Sequence, residues 1–211
     1  MTDRWSAHAE AYRESEAHRS GADLDLLVKW AEGRTALDVA TGGGHVARRL
    51  REAGFDVVTV DPSPGMRADV LSTAEHLPFA DGSFDVVVSR IAPHHFAEIS
   101  QAIGEMARVS GDLVLIVDNL YRGDVVEEAE TLRDPTHVRN YSEDEWRQLF
   151  VEGGLQVEAV ELIETDIEVE GWLARAGCVG DEAERVRALL GDRVQDGRLA
   201  MSRIALKGRK R

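Results

Sequence analysis

Hydrophobic and polar residues alternate in blocks along the first half of the chain. Short, largely apolar runs of strand type lie at residues 35–40, 56–60, 68–72, 84–90 and 112–118. Apolar residues recur at helical spacing at residues 22–32, 44–53 and 97–109. Strands that alternate with helices in this way are typical of a parallel sheet, because each parallel crossover needs a long connection, usually a helix. The pattern predicts an α/β protein.

The alternation becomes less regular after residue 118. Helices are predicted at residues 124–132, 142–152, 170–176 and 181–191, and strands at 155–164 and 199–206. Ser142 is the predicted N-cap of the second of these helices, since Glu145, three residues later, completes a capping box.

Length and composition predict one domain over residues 1–211, because 43% hydrophobic residues can fill one core but leave little for a second. Within it we expect three additions to the sheet: an N-terminal helical lid at 1–33, a substrate-side insertion at 120–153 and C-terminal helices at 168–192. The N-terminal stretch is polar and no long apolar run occurs, which favours a cytoplasmic protein. Cys178 is the only cysteine, so an internal disulfide is excluded.

The charge distribution bears on the choice of partner. The chain has a net charge of −14, and residues 122–184 contain 18 acidic and 5 basic residues. Such a surface repels phosphate backbones, so a nucleic-acid partner is not expected. The remaining expectation is a small-molecule substrate, no membrane partner, and a monomer or homodimer.

Three glycines at 42–44 join the first predicted strand to the next helix. Glycine permits positive φ and close approach of a ligand, and the helix start offers free N–H groups. The stretch also matches the dinucleotide pattern G-x-G-x-x-G/A. Asp38 separates the candidates, because a carboxylate here repels a pyrophosphate but attracts the sulfonium and ammonium groups of S-adenosylmethionine. Asp61, which follows the second strand, suits the ribose hydroxyls of either cofactor.

Four motifs extend this interpretation: LDVATGGG at 37–44, VTVDPSPGM at 58–66, AEHLPFADGSFDVVVSR at 74–90 and IAPHHF at 91–96. In order and spacing they resemble those of class I S-adenosylmethionine-dependent methyltransferases, in particular the branch similar to the ubiquinone/menaquinone-biosynthesis C-methyltransferases. The resemblance covers most of residues 8–165. It implies a Rossmann-like doubly wound sheet of order 3-2-1-4-5-7-6, with strand 7 antiparallel and helices on both faces. It also implies S-adenosylmethionine as cofactor, S-adenosylhomocysteine as product, and methyl transfer.

The resemblance also implies which residues bind the cofactor. Asp38, Gly42 and Gly44 correspond to the site of the methionine moiety, Asp61 to the ribose acceptor, and Met66 to a residue that packs on the adenine. Thr73 stands where the family usually carries an aspartate for the adenine amino group, and Ala74 and Glu75 flank the same ring. The predicted set is completed by Ala40, Thr41, Pro62 and Arg90.

Candidate catalytic groups follow two neighbouring strands: His94 and His95 after the fourth, and Asp118 at the end of the fifth. Both strand ends lie at the carboxyl edge of a parallel sheet, over the sulfur side of the cofactor. In the natural-product O-methyltransferases that the chain resembles, a histidine here pairs with an acid on the next strand. We therefore predict a His94–Asp118 general base and favour O-methylation of a phenol or other hydroxyl. C-methylation of a quinone-like ring is an alternative that needs no strong base, and a third is that these residues only cap their turns.

A loop between two predicted helices, residues 133–141, concentrates functional side chains. Arg133, His137 and Arg139 are predicted to face an acidic or phenolate acceptor. The alternative is an internal ion pair between Asp134 and Arg139.

The N-terminal segment has no strand of its own. Tyr12 and His18 are predicted to close over the cofactor as a lid, as this branch often uses its N-terminal helix. Alternatively, Trp5, Ala9 and Tyr12 form an ordinary packing stripe at helical spacing.

Metal independence is expected, because adjacent histidines lack the spacing of a helical zinc pair and only Asp118 is a clear carboxylate ligand. Two further function classes stay open. An NAD(P)-dependent oxidoreductase usually needs a Tyr-x-x-x-Lys pair, which the lysines at 29, 207 and 210 do not provide. A non-catalytic module would bind the cofactor without turnover.

Overall fold

The structure, a computed structural model, describes residues 5–6, 9–10 and 19–211. Its first half alternates helices and strands as predicted, except at residues 68–72. The elements are α1 (Ala22–Trp30), β1 (Thr35–Val39), α2 (His45–Glu52), β2 (Asp56–Val60), β3 (Phe84–Arg90), α3 (Ile99–Val109) and β4 (Ser110–Asn119). Short 3-10 turns follow β2 and β3, at Pro64–Met66 and Pro93–His95.

The second half contains four α-helices, one 3-10 turn and three strands. They are α4 (Asp124–Arg133), α5 (Glu143–Glu152), β5 (Leu155–Glu168), α6 (Val169–Arg175), α7 (Gly180–Leu190), a 3-10 turn (Gly191–Arg193), β6 (Val194–Gln195) and β7 (Arg198–Lys210). The helices agree with prediction within a few residues. Strands β5 and β7 are longer than predicted, because they pair with each other along the whole length of β5, as far as Glu168 and Arg198.

One mixed sheet of order β2-β1-β3-β4-β7-β5 holds these strands together, and β6 pairs with β7. Strands β2, β1, β3 and β4 are parallel, whereas β7 is inserted antiparallel between β4 and β5. The fold is therefore the α/β Rossmann-like arrangement that the resemblance implied, with its antiparallel strand.

The predicted strand at 68–72 is wrong: the described structure has a single parallel bridge there, between Val60 and Val70. The reason is the side chain of Asp69. Its Oδ2 accepts hydrogen bonds from the backbone N–H (2.9 Å) and the hydroxyl (2.7 Å) of Thr59 in β2. The Asp69 side chain thus takes the Thr59 N–H of β2, which would otherwise donate to the backbone of a neighbouring strand.

Each face of the sheet packs against its own hydrophobic cluster. Leu37 belongs to the cluster with Met106 of α3 and Trp146 of α5, whereas its neighbour Ala36 belongs to the cluster with Leu24 of α1. Successive side chains of a strand point to opposite faces, so the continuous apolar runs of the sequence reflect burial on both sides. A third cluster lies among α4, α6, α7 and β7.

The predicted capping box of α5 is present. The Ser142 hydroxyl accepts the Glu145 N–H (3.3 Å), and the Glu145 carboxylate accepts the Ser142 N–H (2.8 Å). We expect Ser142→Ala to lower the free energy of unfolding by about 1 kcal/mol, because it removes one partner of an otherwise unpaired helix N–H. Urea denaturation followed by circular dichroism measures the change. Thr131→Ala, an exposed hydroxyl within α4, is the control and should change stability by less than about 0.5 kcal/mol; equal losses would contradict the capping argument.

Candidate active site

A cavity of about 700 Å³ opens at the carboxyl ends of the parallel strands. Most of the residues predicted from the sequence line it. They are Ala40, Thr41, Gly42, Asp61, Pro62, Met66, Thr73, Ala74, Glu75, Arg90, His94, His95 and Arg133. The cavity-lining residues do not include Asp38, Gly44, Asp118, His137 or Arg139. Tyr12 and His18 lie outside the described residues.

The loop between β1 and α2 has an unusual backbone. Ala40 (φ 55°), Gly42 (φ 51°) and Gly44 (φ 75°) are all in the left-handed region, which an alanine rarely adopts. A Cβ added at Gly42 or Gly44 would meet no protein atom within 4 Å. The glycines are therefore required by the backbone turn, and they leave open space above it for a ligand.

Asp38 lies behind this loop. Its Oδ2 accepts hydrogen bonds from the Thr41 hydroxyl (2.7 Å) and the Ala47 N–H (3.1 Å). Burial raises the pKa of Asp38 to about 6, an effect that these hydrogen bonds partly offset and that the nearby charge of Asp61 reinforces. At neutral pH the carboxylate is ionised, so its charge acts on the cavity through the loop that it supports.

Asp61 connects the ends of β1 and β2. Its Oδ2 accepts the Gly42 N–H (3.0 Å) and its Oδ1 accepts the Ser63 N–H (2.9 Å). The carboxylate is buried, yet it lines the cavity. Its position fits a group that accepts hydrogen bonds from a ligand's hydroxyls.

Arg90 belongs to a buried charge cluster that sequence reasoning missed. Arg90 Nε (2.8 Å) and Arg203 Nη1 (3.0 Å) both donate to Oδ2 of Asp23, and all three residues line the cavity. Burial works to raise the pKa of Asp23, but the two guanidinium groups outweigh it and lower that pKa. No local signal could have revealed the cluster, since Asp23 stands 67 positions from Arg90 and 180 from Arg203.

His94 and Asp118 form the predicted pair. His94 Nδ1 donates to Asp118 Oδ1 at 2.5 Å, and both side chains are buried. Burial works to lower the pKa of His94, but the charge and hydrogen bond of Asp118 outweigh it, so the pKa is raised above 6.5. Within the described part of the chain, Asp118 Oδ2 has no hydrogen-bond partner. The contact orients the ring and leaves Nε2 as the nitrogen that can exchange a proton.

His95 has a different environment. Its Nδ1 donates to the Thr136 carbonyl (3.0 Å), and its ring lies 4.1 Å from that of His94. Burial and the adjacent His94 hold the pKa of His95 well below its usual range. His95 is therefore neutral at physiological pH, and the two adjacent histidines have opposite protonation preferences.

The loop at residues 133–141 supports the histidines rather than lining the cavity along its length. The N–H groups of Val138 (2.9 Å) and Arg139 (3.2 Å) donate to the carbonyl of His94. His137 does not line the cavity, and its Nε2 donates to the Glu127 carboxylate (2.8 Å).

The alternative for this loop, an ion pair between Asp134 and Arg139, is wrong. Asp134 accepts hydrogen bonds from the N–H (3.0 Å) and hydroxyl (2.7 Å) of Thr136, whereas Arg139 pairs with Glu145 (2.7 Å). The Asp134 carboxylate is therefore hydrogen-bonded within its own turn, and the Arg139 guanidinium is paired with the adjacent helix α5. Of the three side chains predicted to face the acceptor, only Arg133 lines the cavity.

Among the described residues, no group of three or more histidine, cysteine, aspartate or glutamate side chains is placed to hold a metal ion. No helix in that part of the chain has the length and apolar character needed to cross a membrane.

The parallel strand ends, the glycine loop and the acidic residue after β2 define a Rossmann-like protein that binds its ligand at the carboxyl edge of the sheet. Comparison with known proteins agrees. The model of a family described as "Methyltransferase domain" matches residues 37–113. The protein YcgJ of Bacillus subtilis, described as an uncharacterized methyltransferase, is 32% identical over 208 residues, which cover 86% of this chain and 82% of YcgJ. The chain belongs to the class I S-adenosylmethionine-dependent methyltransferases.

Solved structures share the fold. The crystal structure of YcgJ superposes with a TM-score of 0.81 at 29% identity, over 90% of this chain and 98% of that one. The BH2331 protein of Bacillus halodurans also gives 0.81, at 27% identity, over 90% and 99% of the two chains. A demethylmenaquinone methyltransferase of Thermus thermophilus is 36% identical over 122 residues, 46% of this chain and 55% of the relative. The resemblance to that branch is confirmed as a distant one.

Family membership makes the protein an enzyme with S-adenosylmethionine as its cofactor, which sets aside the nicotinamide alternative and the non-catalytic module. The chain's own residues fit this cofactor. The left-handed loop leaves space above Gly42, buried carboxylates stand behind and beside it, and buried Met66 and Ala74 supply an apolar wall. Acidic groups around a bare backbone suit a cationic sulfonium better than a pyrophosphate.

Proposed function

We propose that the enzyme methylates a hydroxyl oxygen of a small-molecule acceptor, with phenols favoured, and that His94 is the general base. The His94–Asp118 contact is the observation that carries this proposal, because a hydroxyl oxygen must lose its proton as it is methylated and an oriented histidine can take that proton. S-adenosylmethionine supplies, when bound, a methyl group on a sulfonium that is already a good leaving group. The residues of the chain position the acceptor and remove its proton.

The two residues of the His94–Asp118 dyad have different roles. Asp118 holds the His94 ring through Nδ1 and stabilises the imidazolium that forms when Nε2 takes a proton. His95, kept neutral by its burial and by the adjacent His94, adds no second positive charge beside that imidazolium. Environments that separate the pKa values of two neighbouring groups in this way are typical of acid–base sites.

Cofactor binding is assigned, within the proposal, to the loop and the acidic strand ends. Asp38 and Thr41 would hold the loop around the methionine moiety, with Gly42 and Gly44 giving its turn. Asp61 would accept from the ribose hydroxyls.

The adenine would lie near Met66. Thr73, Ala74 and Glu75 would flank it, and Pro62 and Arg90 would complete the walls.

The N-terminal segment supports a lid. Trp5 lines the cavity with its ring 4.7 Å from that of His95, and the Gly65 N–H donates to the Ser6 hydroxyl (2.7 Å). A Cβ added at Gly65 would come within 2.5 Å of the Ser6 backbone. These contacts support a lid that includes residues 5–6, whereas the burial of Ala9 supports the alternative of a packing stripe.

A second candidate is C-methylation of a quinone-like ring, favoured by the partial similarity to a demethylmenaquinone methyltransferase. The test is to incubate the enzyme with S-adenosylmethionine carrying an isotope-labelled methyl group and a panel of phenols and hydroquinones. Release of S-adenosylhomocysteine reports turnover, and the chemical shift of the labelled methyl in the product distinguishes O–CH₃ from C–CH₃. Ring methylation without O-methyl product would reject the proposal in favour of the second candidate.

A further inference from the structure

Arg133 ends helix α4 and lines the cavity. Its Nε donates to the Trp172 carbonyl (3.0 Å), and its guanidinium carbon lies 4.5 Å above the Trp172 ring. Arginine is well suited to such a position, because it stacks on an aromatic face while the edge of its planar fork stays available.

The terminal nitrogens of Arg133 have no carboxylate within ion-pairing distance among the described residues. Several other charges on this wall have partners of opposite charge. Arg90 and Arg203 share Asp23, Arg198 lies 3.9 Å from Asp166, and Arg122 lies 3.7 Å from Glu164. A guanidinium held in place by stacking, beside groups that have found partners, favours an anion supplied from outside the chain.

We propose that the methyl acceptor carries a carboxylate or similar anionic group, and that Arg133, stacked on Trp172, binds it. This inference rests on the proposed function, since it names the class of acceptor that the same site takes. The planar fork of Arg133 pairs a carboxylate through two parallel N–H···O bonds, and the apolar wall formed by Ile167, Trp172 and Met201 accommodates the rest of a ring.

The location of Arg133 relative to the dyad gives the binding a chemical consequence. The positive charge of Arg133 acts to lower the pKa of His94, against the effect of Asp118. An anion bound at Arg133 cancels that charge and so makes His94 a stronger base when the acceptor is in place. A neutral acceptor of the same shape brings no such change.

The test compares acceptors that differ only in charge. The probes are 4-hydroxybenzoate, a hydroxycinnamate and a hydroxynaphthoate, each paired with its neutral amide, titrated by calorimetry into enzyme saturated with S-adenosylhomocysteine. We expect at least one carboxylate to bind about tenfold tighter than its amide. Arg133→Gln should reduce that preference to within about twofold, and Arg133→Lys, which keeps the charge but loses the fork, should retain part of it.

Arg139→Gln is the matched control, because Arg139 belongs to the same loop but pairs with Glu145 outside the cavity. It should keep the full preference. The inference is overturned if no carboxylate binds better than its amide, or if Arg133→Gln keeps the preference. Thermal denaturation identifies a variant that does not fold. If Arg133→Gln does not fold, a reduced carboxylate preference in Arg133→Lys supports the inference, and an undiminished preference overturns it. His94→Ala should leave the carboxylate preference intact, so failure of the dyad and failure of the anion site give different results.

Discussion

Replacing His94 by alanine is expected to lower kcat for a hydroxyl acceptor by about 10²–10⁴-fold, the usual contribution of a positioned general base. The affinity for S-adenosylmethionine should change by less than about threefold, because the cofactor assignments involve other residues. Release of S-adenosylhomocysteine measures the rate, and calorimetry measures the affinity. Equal turnover by His94→Ala and the native enzyme would remove the basis of the dyad.

The pH profile provides an independent check on the same residue. A base acts in its unprotonated form, so kcat/KM should rise with pH through a midpoint above 6.5, where the charge of Asp118 places the pKa of His94. Asp118→Asn removes that charge and should shift the midpoint downward while lowering the maximal rate. His95→Gln is the comparison, because its neutral ring lies beside the dyad without a carboxylate partner in the structure described. A profile that follows His95→Gln but not Asp118→Asn would assign the base to the other histidine.

The second large effect is expected for Asp38→Asn, which should weaken S-adenosylmethionine binding by at least about tenfold, equivalent to about 1.4 kcal/mol. The substitution keeps the shape of the side chain and an oxygen for the Thr41 hydroxyl, but it removes the buried negative charge behind the loop. The native enzyme should also lose affinity as pH falls through about 6, the pKa of Asp38, because protonation removes the same charge. The Asn variant should lack this pH dependence.

Stability should respond in the opposite direction. The folded pKa of Asp38 lies above its ordinary value of 3.8, so the folded state binds the proton more tightly than the unfolded state. Stability contributed by this group is therefore present at low pH and lost as pH rises through about 6. At pH 7 the ionised carboxylate opposes folding, and Asp38→Asn should unfold at no lower temperature than the native chain. Weak binding by a well-folded variant separates loss of charge from loss of structure.

Asp85→Asn provides the control for the charge argument. Asp85 is an exposed carboxylate at the opposite, amino end of the sheet, where it accepts the N–H groups of Arg34 (2.7 Å) and Thr35 (2.9 Å). Its removal should leave cofactor affinity unchanged. If Asp38→Asn binds S-adenosylmethionine as tightly as the native enzyme, the electrostatic account of cofactor choice is wrong.

Much of the fold could be predicted because its signals are local. Strands buried on both faces produce continuous apolar runs, and the end of β1 is marked by glycines that the left-handed backbone requires. The strand at 68–72 could not be judged in the same way. Whether the Thr59 N–H in β2 donates there to a backbone carbonyl or to the side chain of Asp69 depends on tertiary packing, and the sequence offers both acceptors.

In the candidate site, too, the features that depend on local sequence could be predicted and those that depend on tertiary contacts could not. Parallel strand ends meet at one edge, so the residues that follow them, such as Asp61 and His94, could be brought together from spacing alone. The cluster of Asp23, Arg90 and Arg203 could not, because its members come from a helix and two strands that are remote in the chain. The loop at 133–141 had the right composition for the substrate side, but most of its polar groups bind the protein itself.

Apart from the segment at 68–72, the sequence by itself determined the order of strands and helices, the glycine turn, and which chemical groups arrive at the carboxyl edge, because these depend on residues close together in the chain. Only the tertiary structure decided what each group faces. It placed Asp38 behind the glycine loop, where it accepts from Thr41, and Asp118 against His94. It also paired Arg139 with Glu145 and left Arg133 in the lining of the cavity. The physical reason is that a buried polar group takes the partner that packing brings within reach, and packing joins elements that the sequence keeps far apart.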